Sequence, residues 1–406
     1  MPHNIIVGQS GGPTAVINAS LAGVISEAKN CEAEHVYGMV NGIEGFLKGR
    51  YVDLKDKIKT DGELNLLCQT PSSYLGSCRF CLPSPEKGND VYEKLFGELK
   101  ALDISAFFYI GGNDSMDTID KLSKYGRLIG SNICFIGIPK TIDNDLAVTD
   151  HTPGFGSAAK YVAAVTKETV RDCAVYDLKS ITFLEIMGRD TGWLTASAAL
   201  AKSADCGGAD IICLPEVPFD IDNFIFKAAE LFKTKNNLIA AVSEGLVTKE
   251  GKNLCEAYSE IKKVDAFGHK IFSGTGRLLA DIAAEKLGCK TRAIELNTVQ
   301  RSASHIASKT DIDEAFMAGS FAVRAAKEGK NGKMVILKRE GNYKCSAETC
   351  DIEKIANITK YVPKDWIAED GLNVTSDMIE YIRPLIQGEP ETVYKDGLPA
   401  HLVLIL

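Results

Sequence analysis

The stretch Ile133-Cys134-Phe135-Ile136-Gly137-Ile138-Pro139-Lys140-Thr141-Ile142-Asp143-Asn144-Asp145 decides how the chain is read. Its first half, Ile133 to Ile138, is an apolar run and reads as a buried strand. The run stops at a proline, and a lysine, a threonine and two carboxylates follow at once. In an open α/β sheet, ligands bind just past the carboxyl ends of strands. A base, a cation and a hydroxyl packed into a few residues at such a place suit chemistry on an anionic substrate. A polar loop with an Asx turn at Asn144 accounts for the same residues without any chemistry.

Two further units of the same kind lie upstream. Ala106 to Ile110 is a strongly apolar strand that delivers Gly111-Gly112-Asn113-Asp114-Ser115, with a helix expected from Met116 to Tyr125. Asn113 and Asp114 carry oxygen ligands of the kind Mg²⁺ takes. Asp114 or Ser115 equally suits a helix N-cap. Near the start, Asn4 to Gly8 is a short strand running into Gln9-Ser10-Gly11-Gly12-Pro13-Thr14, then a helical pattern through Leu21, Val24 and Ile25. Strand, glycine turn and helix offer backbone N–H groups to a phosphate. No Gly-Lys-Ser/Thr follows, and the glycine spacing is not that of a dinucleotide loop. A tight turn that needs glycine for its dihedrals is the alternative. Between these units, Gln69 to Phe80 forms a hydroxyl-rich loop ending at Arg79, a residue type that holds phosphate well but that is more often plain surface. Three strand ends with polar loops make the pattern of a doubly wound sheet with one crevice.

Downstream, a helix is expected from Ser157 to Asp172. Strands follow at Ser180–Ile186, Asp210–Leu214, Leu238–Val242 and Thr291–Leu296. They end in Met187-Gly188-Arg189, Pro215-Glu216, Ser243-Glu244-Gly245 and Asn297 to Arg301. This second βαβ series marks a second domain beginning near Gly156. Arg189, Arg292 and Arg301 come from separate elements and could converge on a phosphate, although each alone reads as a surface charge. Ser273-Gly274-Thr275-Gly276 precedes a good helix, Leu278 to Leu287, and a helix start is sufficient explanation for it. A helix from Asp311 to Glu328, a strand from Met334 to Lys338 and a closing apolar strand from Leu402 to Leu406 complete the expectation.

Bulk properties narrow the function classes. The chain has 406 residues, 45% hydrophobic and 25% charged, enough for two or three cored domains. A net charge of −8 argues against broad nucleic-acid or membrane-surface binding. No apolar run approaches the roughly 20 residues of a membrane span, and the start Met1-Pro2-His3-Asn4 lacks the pattern of a signal peptide. A cytoplasmic protein is the expectation. The twelve cysteines are scattered. Cys78 and Cys81 have CxxC spacing, but no second pair accompanies them, so free thiols are expected.

Taken together, Ser-Gly-Gly at 10–12, Gly-Gly-Asn-Asp-Ser at 111–115, Pro-Lys-Thr-Ile-Asp-Asn-Asp at 139–145, Met-Gly-Arg at 187–189 and Val-Gln-Arg at 299–301 resemble the 6-phosphofructokinase family, and more closely its pyrophosphate-dependent branch. The similarity runs from Gly8 to about Lys309 and returns weakly at Tyr381-Ile382-Arg383-Pro384. The resemblance implies two Rossmann-like three-layer αβα domains with mainly parallel sheets and an active site in the cleft between them. Residues 1–156 with about 300–345 would bind the phosphoryl donor, and 157–299 with about 346–406 the sugar phosphate.

The same resemblance implies roles. Asp143 is the general base for the 1-hydroxyl of fructose 6-phosphate, with Thr141 and Ile142 beside it. Gly11, Gly12, Arg79, Gly112, Asp114 and Lys140 belong to the donor side. Met187, Gly188, Arg189, Glu244, Arg292, Thr298 and Arg301 belong to the sugar-phosphate side, where arginines of a neighbouring subunit complete the site in a homo-oligomer, dimer or tetramer. The implied cofactor is Mg²⁺. ATP-using members have glycine where this chain has Asp114 and Lys140. A carboxylate at the first position repels an α-phosphate, and the lysine neutralises the leaving phosphate. Three positions depart from the family pattern. Asn113 replaces a common metal-binding aspartate, so Asp114 or Asp145 shares the metal with it. Thr298 replaces a histidine or tyrosine. Near Ser180 only Lys179 stands where an inter-subunit arginine is found. Sedoheptulose 7-phosphate fits the same chemistry. ATP as donor, or a non-catalytic regulatory subunit, are the competing readings.

Overall fold

Consecutive residues of a strand point to opposite faces of its sheet, and here both faces are covered. Ile5 and Val7 enter one core while Ile6 enters another. Ala106, Phe108 and Ile110 join the first core, and Phe107 and Tyr109 the second; Ile136 and Ile138 likewise enter the first core and Phe135 the second. Burial on both faces is why these segments are unbroken apolar runs rather than alternating ones. In the computed structural model, which describes residues 4–86, 89–258 and 274–405, they form the centre of a seven-stranded sheet.

The strands of that sheet are β1 (Asn4–Gln9), β2 (His35–Met39), β3 (Tyr51–Asp53), β4 (Ile104–Gly111), β5 (Cys134–Pro139), and, beyond the second sheet in sequence, β10 (Lys333–Glu340) and β11 (Lys344–Asp351). Their order is β11-β10-β5-β4-β1-β2-β3. The five inner strands are parallel, and an antiparallel strand closes each edge. The second sheet holds β6 (Ser180–Ile186), β7 (Ile211–Cys213), β8 (Asn237–Ser243) and β9 (Lys290–Glu295) in the parallel order β7-β8-β6-β9. Helices cover both faces of each sheet. Ile17–Asn30 and Lys309–Lys327 pack side by side on one face of the large sheet, with Asn89–Ala101 and Asn113–Leu128 on the other. The small sheet is flanked by Phe155–Cys173 on one side and by Ile221–Leu231 and Thr275–Leu287 on the other. This is the expected α/β class with mainly parallel sheets.

The expectation of a closing strand changes. Residues 402–405 form no strand. Leu402 and Leu404 pack against the large-sheet core, Val403 and Ile405 remain about three-quarters exposed, and the Leu402 N–H donates to Thr70 Oγ1 rather than to a neighbouring strand. One face found a core, but a helix end rather than a sheet edge lay beside it. The Ser-Gly-Thr-Gly stretch is a helix start, with Ser273 outside the described residues. The buried Glu185 carboxylate accepts the N–H groups of Gly274 and Gly276 there, a favourable charge for a helix N-terminus. All twelve cysteines are free, Cys78 buried beside the Tyr109 hydroxyl and Cys81 exposed.

Candidate active site

Parallel strands put all their carboxyl ends on one edge. The loops after β1, β4 and β5 therefore meet, and they face the loops after β6 and β8 and the 3₁₀ turn Asn297–Arg301 beyond β9. Between them lies a cleft of about 670 Å³. Gly11, Gly12, Arg79, Gly112, Asn113 and Asp114 line one side, Lys140 to Asp143 the floor, and Met187, Arg189, Glu244 and Arg301 the other side.

The floor is built by short-range polar bonds. The Thr141 hydroxyl donates to Asp143 Oδ2 at 3.3 Å and accepts the Asp143 N–H at 3.1 Å, which fixes the direction of the carboxylate. Thr191 Oγ1, from the loop after β6, donates to the Asp143 carbonyl at 3.1 Å. Asn144 takes the left-handed conformation with φ 54°. Its amide is spent inside the protein, donating to the Tyr381 hydroxyl and accepting from the Thr152 N–H and Lys360 Nζ. The Asx turn expected at Asn144 is not what the loop forms: Asn144 Oδ1 accepts from Thr152, eight residues on, and the turn-type bond across two residues is made by the Thr141 hydroxyl with the Asp143 N–H. Lys140 is buried and its ammonium donates to the Gly12 carbonyl at 2.7 Å. The β1 loop comes this close because a glycine takes φ 76° at position 11, and a Cβ on Gly12 would stand 2.6 Å from Arg301 Nη1.

Burial unbalances the charges in a useful direction. It pushes the Lys140 ammonium down to about 8, with Asp143, Asp145 and Asp114 pulling the other way. It raises the Asp143 carboxyl above the ordinary range against the pull of Lys140, the Thr141 hydroxyl and Arg189. Asp145 is raised to about 7 by burial and by the Asp143 charge, and Glu244 to about 7, chiefly by burial. Burial also lowers the Arg301 guanidinium. A carboxylate that holds its proton more tightly than usual, with lysine and arginine side chains around it, is equipped to take a proton from a hydroxyl while a polyanion sits close by.

A family model for phosphofructokinase matches residues 4–328. The chain belongs to the phosphofructokinase family. It is 39% identical over 406 residues to a pyrophosphate–fructose 6-phosphate 1-phosphotransferase of Xanthomonas campestris pv. campestris, covering 99% of this chain and 96% of that protein. It is 38% identical over 403 residues to the protein of the same name from Halomonas elongata, covering 98% and 95%. The crystal structure of a pyrophosphate-dependent phosphofructokinase from Nitrosospira multiformis matches with a TM-score of 0.88 at 37% identity, over 98% of this chain and 95% of that one.

Not every residue expected at the phosphofructokinase site reaches the cleft. Gly188 is buried, and its N–H donates to Glu244 Oε1 at 3.4 Å, so it orients that carboxylate. Arg292 is exposed on the edge strand β9 and pairs with Asp172 at 3.4 Å. Thr298 is exposed on its 3₁₀ turn and is absent from the lining. Asn113 lines the cleft, but its amide is engaged at both ends: Oδ1 accepts the Asn357 N–H at 3.1 Å and Nδ2 donates to the Ile358 carbonyl at 3.3 Å. An aspartate could not make the second bond. For a hard cation such as Mg²⁺, the oxygen ligands of the Asp114 and Asp145 carboxylates fit as the main donors, with Asn113 Oδ1 sharing its second lone pair.

Other lining residues lay outside the sequence expectation. Asp190 and Thr191 follow the Met-Gly-Arg motif directly, and reading two positions further would have included them. Gln300, inside Val-Gln-Arg, accepts the Met187 N–H with Oε1 at 3.2 Å and so joins the β6 and β9 ends. Asn357 and Thr359 reach the cleft from the C-terminal part of the chain, where no motif announced them.

Proposed function

We propose that this chain transfers a phosphoryl group from pyrophosphate to the 1-hydroxyl of fructose 6-phosphate, giving fructose 1,6-bisphosphate and phosphate. The observation that carries the reading is Asp143 and Lys140 side by side on the floor of a cleft with a glycine loop on one wall and arginines on the other. Asp143 accepts the proton of the 1-hydroxyl, whose oxygen bonds to the transferred phosphorus. The bond from that phosphorus to the bridging oxygen breaks, and the electron pair leaves with phosphate. Lys140 holds the charge that develops on that leaving group. Arg79 stands on the donor side, and Arg189 and Arg301 hold the sugar phosphate with Met187 and Glu244. Thr141 keeps Asp143 aimed. Mg²⁺, when held by Asp114, Asp145 and Asn113, supplies neutralisation of the pyrophosphate charge. In-line phosphoryl transfer asks mainly for alignment and charge stabilisation of this kind.

On this reading the donor is held by residues 1–156 with about 300–345, and the sugar phosphate by 157–299 with about 346–406. The chain works as a cytoplasmic homo-oligomer, dimer or tetramer, in which the exposed Arg292 serves the sugar-phosphate site of a neighbouring subunit. No helix among the described residues is long and apolar enough to cross a membrane. The test is the initial rate with Mg²⁺ and fructose 6-phosphate, comparing pyrophosphate with ATP. Turnover with pyrophosphate and none with ATP is expected. Turnover with ATP alone would overturn the donor assignment, and fructose 6-phosphate binding without turnover would make the chain a regulatory subunit.

A further inference from the structure

The segment around Lys360 is more than 200 residues from the Asp143 loop in sequence, yet it is built into it. The loop closes on itself at its base: the Thr141 N–H donates to the Pro153 carbonyl at 3.2 Å, and Thr152 Oγ1 donates to the Thr141 carbonyl at 2.8 Å. Thr359 bridges to Leu146 in antiparallel fashion, and the Lys360 N–H donates to the Asp145 carbonyl at 2.8 Å. The Lys360 ammonium then enters the loop. It donates to Asn144 Oδ1 at 3.3 Å on one arm, and to the carbonyls of Thr149 and Asp150 at 3.2 and 2.8 Å on the other. Behind it, the Lys360 carbonyl accepts the Trp193 indole N–H at 2.8 Å, and the ammonium lies 5.2 Å from the centre of that indole ring. Trp193 begins the helix after β6, so one residue ties the Asp143 loop to the helix that follows the Arg189 loop.

An ammonium taken out of water is costly compared with a solvated one, and here all its hydrogen bonds go to neutral oxygens, with the Asp150 and Asp145 charges near but not bonded to it. Packing alone would be served by an apolar side chain of the same length. What an apolar side chain could not do is hold both arms of the loop at once.

We propose that Lys360 is a positioning residue for the proposed phosphoryl transfer: it holds the Thr141–Pro153 loop in the one shape that keeps Asp143 aimed at the sugar hydroxyl. The proposal rests on the function proposed above. A small loss of aim is expensive, because a displacement of about 1 Å costs about a hundredfold in rate.

The test uses the full-length protein with Lys360→Met and Lys360→Arg. In the methionine variant kcat per folded molecule should fall by about 10- to 100-fold, while KM for fructose 6-phosphate and for pyrophosphate stays within about threefold, since the ligand-holding groups are untouched. The arginine variant, which restores charge and donors, should recover part of that loss. A purely structural role predicts lower thermal stability with kcat per folded molecule unchanged, and that result overturns the proposal. So does a loss confined to KM. If the methionine variant does not fold, Trp193→Phe removes the bond behind the lysine and should show the same kcat-weighted loss on a smaller scale; no change in kcat refutes the proposal. Hydrogen exchange of loop amides 141–153 gives a reading independent of turnover. Exchange about tenfold faster in the variant supports the holding role, and unchanged exchange refutes it. A parent chain inactive with both donors refutes the proposed function instead, and exchange still decides the role of Lys360.

Discussion

Two lysines stand on opposite sides of one loop. Lys140, on the front, faces the cleft, and Lys360, on the rear, fills the loop from behind. Burial pushes both ammonium groups down to about 8. The difference is in their partners. Lys360 gives its hydrogen bonds to three neutral acceptors beside an indole face, with the Asp150 and Asp145 charges near it, whereas Lys140 bonds one carbonyl and borders an open cavity lined by Asp143, Asp145 and Asp114. The rear charge is satisfied by the protein itself. The front charge is left for a ligand. The same residue type, buried at 140 and half-buried at 360, thus serves architecture in one place and chemistry in the other, and the hydrogen-bond partners and the open cavity tell them apart.

The largest effect should come from the base between them. Asp143→Asn is expected to lower kcat by about a thousandfold, within the usual range for a positioned general base. It should leave the thermal midpoint unchanged or higher, because burial already penalises the ionised carboxylate. Initial rates and a melting curve on the same preparation check both halves; a rate within tenfold of the parent would remove Asp143 from its role.

Lys140→Met comes next, with about a hundredfold loss in kcat using pyrophosphate. The pH dependence sharpens the point. With its pKa lowered to about 8, the Lys140 ammonium is charged below that value and neutral above it. The parent kcat/KM should therefore fall as pH rises through about 8, and the methionine variant should lack that alkaline limb. A limb that persists in the variant belongs to another group.

Asp114→Gly probes donor choice on the same front face. Relieving a like-charge clash of one to a few kcal/mol should raise the ATP-to-pyrophosphate ratio of kcat/KM by about tenfold or more. Competition assays with both donors measure it directly, and an unmoved ratio would mean that Asp114 does not exclude ATP.

The smallest effect belongs to Tyr381, on the rear wall beside Lys360. The Tyr381 hydroxyl accepts from Asn144 Nδ2 and donates to the Asp150 carbonyl at 2.6 Å. Tyr381→Phe should cost about 1–2 kcal/mol of stability in urea denaturation, with kcat within a few-fold of the parent. A catalytic collapse in this variant would show that the rear face is more than support.

How far the sequence could be read follows from range. Ile5-Ile6-Val7, Phe107-Phe108-Tyr109 and Ile136-Gly137-Ile138 announce strands covered on both faces by composition alone, and each is followed at once by its polar loop. Gly11, Gly12, Lys140, Asp143 and Arg189 were legible for that reason, since strand ends and ligand-facing loops are neighbours in sequence. Arg292 missed the cleft because it is the third residue of the edge strand β9, paired in register with Thr182 and short of the carboxyl end, and Thr298 because it is exposed on the 3₁₀ turn beyond that strand. Asn113 was expected as an oxygen ligand, while its bonds to Asn357 and Ile358 could not be read from the sequence.

The sequence by itself therefore determined the α/β class, the strand-ending loops and the charged groups of the floor, since all of these depend on residues within about ten positions of one another. The tertiary structure alone decided which cations face the cleft, that Asn113 clamps the C-terminal segment, and that Lys360 sits inside the loop of Asp143. The last two assignments are made by hydrogen bonds between residues more than 200 positions apart. Such contacts leave no spacing pattern in the chain, because the geometry that creates them exists only once the two sheets have brought their carboxyl ends together.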